Sequence, residues 1–518
     1  MTASRTHRFL SGLVMTYGYQ GLLILAGFFL TPFYLGRIGQ HDYGLWLVGT
    51  QLLNYLTLTD FGVVALLPLE TAYATGRAGG ADKASDLPAI IGQTVRIVLC
   101  QLPIVAVIAI AMWFTIPAEW QHLRGPLAVV LLAFVVGFPL RILPAVLQGL
   151  QDLAFANGLT TLVWMVSTLS TVLMVLAGWN LYAIAIGWLF SQFLMAPVCV
   201  HRLWTRFPNV LPHRLPPIVW SAIWPQLGKG FWVSVGQVAQ ALVSNTDMLI
   251  IGRVLGPLAV VPYAVTGKLP NVIGNQASLL MHTAAPALCE LKTSESRKRV
   301  FQALSALTQG MLTFSGLVFC VVLAVNHWFV DWWVAAKHYG EQYAGFSLTL
   351  AVLLNLLIRH WTGTTAYTVF CFDHQRRISL TNLGDGLVTA ACSIGACALW
   401  GVIGAPIGSI AGACLVSLPA NLKQIAEDTD TTLWEILSGM LGGWLWRFGL
   451  LAGGAMWLAL HWVPKSLLEA GIGAGAIGTV YALAMLPNLL RAPLGNYIRP
   501  LAASFRDKYT ALQIRFSS

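Results

Sequence analysis

IVLCQLPIVAVIAIAMWF, residues 97–114, runs for eighteen positions without a charged side chain. About 20 mostly apolar residues are needed to carry a helix across the hydrocarbon of a bilayer. The apolar character here reaches back to residue 88, broken only by the single charge of Arg96. Working outward, comparable runs fall near 9–35, 45–70, 126–150, 157–178, 181–200, 231–251, 258–287, 301–326, 344–370, 378–398, 402–422, 440–461 and 470–490. With 88–114 they make fourteen expected spans, separated by turn or charge signals. The composition agrees. Hydrophobic residues are 57% and charged residues 10%, where a soluble domain carries roughly 25% charged residues. The mean hydropathy is +0.71. The expected fold is an all-α integral membrane protein, with no stretch polar enough for a separate soluble domain.

Charge orients the spans. With the N-terminus in the cytoplasm, nineteen of the thirty Lys and Arg fall in inside segments and five (Arg37, Arg124, Arg253, Lys337 and Lys465) outside; the other six lie within or at the ends of helices. The positive-inside rule predicts that skew, and one helix more or fewer would scramble it. Both termini are therefore expected in the cytoplasm. The basic segment Met1 to Arg8 reads as the lead into the first span rather than a cleaved leader. The formal charge of +10 is topogenic on this reading, and no RRM-like, zinc-finger or helix-turn-helix pattern supports nucleic-acid binding. Trp113, Trp120, Trp179, Trp328, Trp332, Trp333, Trp400 and Trp462 stand where an outer interfacial belt belongs. The eight cysteines are scattered with no C-x-x-C, so buried apolar positions are expected rather than zinc or redox chemistry.

The longest interior polar stretch, His201 to Gly230, holds Pro208, Pro212, Pro216, Pro217 and Pro225. It divides the chain into an N-lobe (1–200, helices one to six), a cytoplasmic linker (201–230), a C-lobe (231–425, helices seven to twelve) and a C-terminal pair with a basic tail (426–518). A repeat supports the two lobes. Leu35-Gly-Arg-Ile-Gly39 ends the first span, and Ile251-Gly-Arg-Val-Leu-Gly256 ends the seventh, 216 residues on at the Gly-Arg pair. Arg141 and Arg359 echo it at 218. An even number of helices per repeat relates the copies by an axis along the membrane normal, the arrangement of alternating-access transporters.

Several segments resemble a known family. Pro32-Phe-Tyr-Leu-Gly-Arg-Ile-Gly39, Tyr43-Gly-Leu-Trp46 and Leu58-Thr-Asp-Phe-Gly62 are similar to the entry of polysaccharide flippases of the Wzx type, within the multidrug/oligosaccharidyl-lipid/polysaccharide (MOP) exporter superfamily. Val146-Leu-Gln-Gly-Leu-Gln151, Ala156-Asn157, Asn245-Thr-Asp-Met-Leu-Ile-Ile-Gly-Arg253 and Pro286-Ala-Leu continue the likeness, which covers roughly residues 8–425. It implies two six-helix lobes and the flipping of an undecaprenyl-diphosphate-linked oligosaccharide, such as an O-antigen or exopolysaccharide unit, across a bacterial inner membrane. The MurJ-type flippases of peptidoglycan precursors are similar in having fourteen helices. A single bundle would contain the whole pathway, so a monomer is expected, with a polymerase or chain-length machinery as neighbours.

A flippase needs no covalent catalysis; it needs a hydrated path and a cation for the diphosphate. Ionisable groups deep in helices are therefore the candidates, because each costs about 2.5–3.5 kcal/mol at a helix centre. Arg141, Lys268 and Arg359 are flanked by apolar residues on both sides, and Arg96 lies further toward the inner headgroups. Arginine offers a planar fork to phosphate, lysine a point charge. Each can instead pair with an acid, mark a kink or reach an interface. Asp60, Asp247 and Asp385 are the acids available for ion pairing or for binding a coupling ion. Asn54, Asn245, Asn271, Asn275 and His282 supply polar positions, and Asn271, Asn275 and His282 recur near one helical face. A hydrated sugar path and a polar helix interface both account for them. No cofactor is expected. No G-x-x-x-x-G-K-[ST] is present, so H⁺, Na⁺ or the membrane potential, about 2.3 kcal/mol per charge per 100 mV, would drive transport rather than nucleotide bound to this chain. The alternatives are a lipid II-type or drug/ion antiporter of the same superfamily, and a membrane-embedded polymerase, ligase or glycosyltransferase. The last would need a sizeable catalytic loop, and the longest outer one expected, Asn326 to Gly345, has no cluster of carboxylates or histidines.

Overall fold

The computed structural model describes residues 5–78, 86–212, 215, 217, 220–276, 297–334, 342–372, 374–491 and 493–496. Helix accounts for nearly all of them, with no strand among the described residues. Within the bilayer every backbone N–H and C=O must be satisfied internally, and runs of this length leave helix as the solution. The chain divides into two compact units, Met1–Ala241 and Leu242–Ser518. Their boundary falls inside a helix, beyond the polar 201–230 stretch.

Unit 1 comprises α1 (Arg5–Ile38), α2 (Gln40–Thr57), α3 (Val63–Ala78), α4 (Leu87–Phe114), α5 (Gln121–Gly137), α6 (Ile142–Gly149), α7 (Leu153–Leu176), α8 (Asn180–Arg206) and most of α9 (Trp220–Ser244). On α4, Leu87, Ile91, Thr94, Val98, Gln101, Val105 and Ala109 are buried at helical spacing, while Leu99, Ile104, Val107, Ile110 and Phe114 are exposed. Its outer face is as apolar as its inner one, which suits lipid and not water.

Unit 2 continues with α10 (Asp247–Val254), α11 (Pro257–Thr266), α12 (268–276), α13 (Arg297–Val334), α14 (Phe346–Cys371), α15 (Gln375–Trp400), α16 (Gly404–Gly412), α17 (Leu418–Thr429), α18 (Leu433–Leu441), α19 (Trp444–His461) and α20 (Leu467–Leu490). The C-terminal pair α19 and α20 packs on α13. Trp444 stacks on Phe448 at 4.6 Å and its indole N–H donates to Tyr481 Oη at 3.3 Å. Gly316 of α13 lies under that hydroxyl, where a Cβ would collide with it.

The described part of each expected span is mostly helical, with breaks that include residues 61–62, 245–246 and 267. Among the described residues eight helices are long and apolar enough to cross a bilayer, nine when the bent pair Gln40–Asp60 and Val63–Ala78 is taken as one span. The Gly-Arg repeat has a backbone counterpart. Gly39 (φ 94°, ψ 156°) and Gly256 (φ 91°, ψ 162°) occupy the same left-handed-side conformation before α2 and α11, one that L side chains rarely adopt. The expected outer loop from Asn326 is shorter than its polarity suggests, because α13 continues to Val334. Buried Asn326 donates to Thr266 O and Thr349 Oγ1, both at 3.0 Å, so it is an interhelical tie rather than a loop residue. Of the cysteines, Cys199, Cys320 and Cys397 are buried as expected, Cys392 is half-buried, and Cys100 and Cys414 are exposed. Cys289 and the side chain of Cys371 lie outside the described residues.

Candidate functional site

The densest polar cluster of unit 2 forms where α14, α15 and α16 meet. Arg359 of α14 donates through Nη1 to Asp385 Oδ2 at 2.6 Å and through Nη2 to Asp385 Oδ1 at 3.1 Å, a bidentate pair. Its Nε donates to Ser409 Oγ at 3.0 Å, and Nη2 also reaches Thr389 Oγ1 (3.0 Å) and Ser409 O (2.7 Å). Asp385 accepts in addition from Thr389 Oγ1 at 3.0 Å and Ser417 Oγ at 2.6 Å. Every guanidinium nitrogen is engaged, and the carboxylate is 3% exposed.

The close approach of α15 and α16 explains how this cluster fits. Gly404, Gly408 and Gly412 follow the i, i+4 spacing, and a Cβ at each would strike Ala396, Ser393 or Thr389 across the interface. At Gly412 the added carbon would also stand 2.5 Å from Asp385 Oδ1. Small residues of this kind let helix backbones approach in a membrane. The π-bulge at Ala413–Ser417 then rotates the chain so that Ser417 faces the carboxylate; such bulges add a residue to a turn and re-aim side chains.

Asp247, at the first position of α10, accepts from Tyr263 Oη at 2.7 Å. Its Oδ1 is buried without a hydrogen-bond donor among the described residues, and it feels the field of Arg359.

Unit 1 handles its half-buried arginine differently. α2 and α3 are joined by a 3-10 turn, Leu58–Asp60, then Phe61 (φ 47°) and Gly62 (φ 71°), with a bend of 52°. The break is held by backbone: a Cβ on Gly62 would lie 2.6 Å from Gly230 O, and one on Gly230 would lie 2.6 Å from Phe61 O. Buried Asp60 sits in the break. Its Oδ1 accepts from Gly62 N at 3.0 Å, and its carbonyl accepts from Gln101 of α4 at 3.2 Å. Arg141 sits in a second 3-10 turn, Phe138–Arg141, between α5 and α6. Arg141 and Asp60 attract one another, yet no direct ion pair joins them. The guanidinium rests near the rings of Phe134 (5.7 Å) and Phe138 (5.8 Å), cation–π distances. Its Nη1 is buried with no hydrogen-bond acceptor among the described residues.

The remaining candidates are dispersed. Arg96 Nη2 donates to Leu215 O at 3.0 Å, while its Nε is buried with no acceptor among the described residues. Lys268 begins α12, half-buried, just after the Gly267 break. Asn271 and Asn275 are exposed on α12, Asn245 is half-buried between α9 and α10, and exposed Asn54 donates to Gln51 Oε1 at 3.4 Å. His282 lies outside the described residues. Thr389, Ser409 and Ser417 had no sequence signal of their own beyond lying near Gly408 and Gly412. The contact of His360 with Ser315, at 2.6 Å between Nδ1 and Oγ, was equally silent.

Comparison with known proteins follows from this geometry. A family model described as "Polysaccharide biosynthesis protein" matches residues 94–343. A lipid II flippase MurJ in an inward closed conformation superposes with a TM-score of 0.63 at 11% identity, covering 93% of this chain and 99% of that one. The chain shares that fold over nearly its whole length. An inward-facing MATE family multidrug resistance transporter of the MOP superfamily gives 0.59 at 11% identity, covering 78% of this chain and 94% of that one. A MOP superfamily transporter from Pyrococcus furiosus gives 0.53 at 12%, covering 81% and 95%. No curated protein sequence matches the chain. The structural neighbours named here are transporters.

Proposed function

We propose that this chain is a transporter of the MOP superfamily that flips a polyprenyl-diphosphate-linked oligosaccharide from the inner to the outer leaflet of a bacterial cytoplasmic membrane by alternating access, with fourteen spans and both termini in the cytoplasm. The observation that carries this reading is the polysaccharide-biosynthesis match across residues 94–343, combined with a fold matched over 93% of the chain by a lipid II flippase. Charge supports the same choice over a carrier of cationic drugs. The candidate groups inside the helices include Arg96, Arg141, Lys268 and Arg359 against Asp60, Asp247 and Asp385, and Asp385 is already neutralised by Arg359.

Arg141 is assigned to the diphosphate. A buried guanidinium N–H without an acceptor is costly, and a phosphate oxygen is the acceptor its planar fork suits. Arg359 is assigned to holding α14 against the α15–α16 hairpin, since its donors are committed. Lys268 and Arg96 are secondary cations along the same path, and Asn54, Asn245, Asn271, Asn275 and His282 are candidate sugar contacts. Asp247, with one buried oxygen that meets no donor among the described residues, is the acid best suited to take up a proton or Na⁺. An O-antigen or exopolysaccharide unit is the proposed cargo.

The test is reconstitution of the full chain in sealed vesicles loaded with an undecaprenyl-diphosphate-linked oligosaccharide, scored by external lectin or glycosidase access. Protein-dependent exposure of the sugar is expected. Exposure no faster than in empty vesicles, with folded protein present, overturns the proposal. A cysteine in place of Lys268, in a chain lacking the native cysteines, should react with a water-soluble thiol reagent.

A further inference from the structure

A second polar site lies in unit 1 at the turn between α7 and α8, one helix length of about 36 Å from the Arg202–Asp152 ion pair (2.9 Å) at the other end of that hairpin. Gly178 (φ 86°) and Asn180 (φ 46°) are both left-handed and turn the chain so that Trp179 is 53% exposed. Tyr182, one turn into α8, is 46% exposed. Its hydroxyl rests against Gly125 of α5, where an added Cβ would displace it. From the start of α2, Asp42 accepts from His122 Nδ1 at 3.1 Å. The segment that carries Gln121 and His122 is braced by Arg124, whose Nη2 donates to Ile116 O at 3.0 Å. Together Asp42, Gln121, His122, Trp179, Asn180 and Tyr182 line an open hollow of about 470 Å³.

This set of groups has one chemical complement. A pyranose presents an apolar C–H face and an equatorial rim of hydroxyls. An exposed indole and phenol offer flat apolar bodies with polar edges, while a carboxylate, an imidazole and two amides offer acceptors and donors for the rim. No three of the described His, Cys, Asp and Glu side chains are grouped to hold a metal ion, so Asp42 with its imidazoles does not call for one. On the proposed topology this turn faces away from the cytoplasm, in company with Arg37 and the outer tryptophans. We infer that the hollow at the α7–α8 turn is a saccharide subsite, which holds a sugar of the cargo at the outer mouth as it leaves. This deepens the transport reading and rests on it for the identity of the cargo. An interfacial-belt tryptophan would account for Trp179 alone; it would not account for Asp42, Gln121 and Asn180 around the same hollow.

The experiment uses the full chain in lipid nanodiscs and saturation-transfer NMR with methyl β-glucoside, methyl β-galactoside and methyl N-acetyl-β-glucosaminide as probes. Wild-type protein is expected to transfer saturation to the ring protons of at least one. Trp179→Ala and Asp42→Ala should each weaken that binding by about tenfold, and Trp179→Phe should retain most of it. Trp400→Ala, removing a comparably exposed tryptophan (60%) at the end of α15, should leave it unchanged. Transfer to none of the three probes, or equal loss in Trp179→Ala and Trp400→Ala, overturns the subsite. Binding is read without turnover. A chain that flips its lipid-linked cargo yet gives no transfer refutes the subsite alone, and one with Trp179-dependent transfer that does not flip refutes the transport reading alone.

Discussion

The two units each hold a half-buried arginine, 218 residues apart, and treat it in opposite ways. In unit 2, Arg359 meets Asp385 in a bidentate pair, with Ser409 and Thr389 taking the remaining N–H groups. In unit 1, Arg141 is attracted by Asp60 but lies against Phe134 and Phe138, and Nη1 has no acceptor among the described residues. An intramembrane cation is thus not by itself a binding group. What distinguishes a ligand-binding arginine from a structural one is whether its donors are already committed.

The largest expected effect is on the saturated pair. Asp385→Ala leaves Arg359 uncompensated in a low-dielectric interior, and breaking such a pair from one side costs about 3–5 kcal/mol. Thermal unfolding in detergent should show a large fall in Tm; an unchanged Tm would mean that the pair is replaceable by water. Next comes the packing that brings the pair together. Gly412→Ala puts a methyl group against Thr389 and Asp385, and overpacking of this kind costs about 1–3 kcal/mol. Gly449→Ala, at an open position of α19 with nothing within 4 Å of the added carbon, is the control and should be neutral. A double-mutant cycle sharpens the contrast further. Coupling between Arg359 and Asp385 should reach about 1–3 kcal/mol, and coupling between Arg141 and Asp60 should stay below about 1 kcal/mol. Equal couplings would erase the difference between the units. The smallest stability effect is expected for Arg141→Ala, roughly 1 kcal/mol or less, since removing an unsatisfied buried donor offsets the loss of its ring contacts.

Much of this fold was legible in the sequence, because a charge-free run such as 97–114 leaves a bilayer-spanning chain one secondary structure to adopt. The Gly39 and Gly256 correspondence was legible too, as a weak letter match that the backbone angles now deepen. The breaks were not. Phe61 carries a positive φ (47°) in a sequence where glycine would have announced it, and the turn at Phe138–Arg141 contains a proline, Pro139, but so do unbroken helices of this chain, at Pro103 and Pro197. The sequence singled out both Arg359 and Asp385, but residues on separate helices, 26 positions apart, give no sign that they meet. Thr389, Ser409 and Ser417 look like ordinary small helix residues until α16 is placed against α15. Asn326 misled for the opposite reason: its polarity suggested a loop end, whereas its amide ties α13 to Thr266 and Thr349.

The most direct test sets the two arginines side by side in the vesicle flipping experiment. Arg141→Ala is compared with the apolar double replacement Arg359→Met/Asp385→Leu, which removes both charges and can keep the packing. The account predicts that Arg141→Ala falls to the rate of empty vesicles while remaining folded, and that the double variant still exposes the oligosaccharide within about tenfold of wild type, the change expected for at most one charge-assisted contact. Flipping that survives Arg141→Ala and disappears in a folded Arg359→Met/Asp385→Leu chain would contradict it.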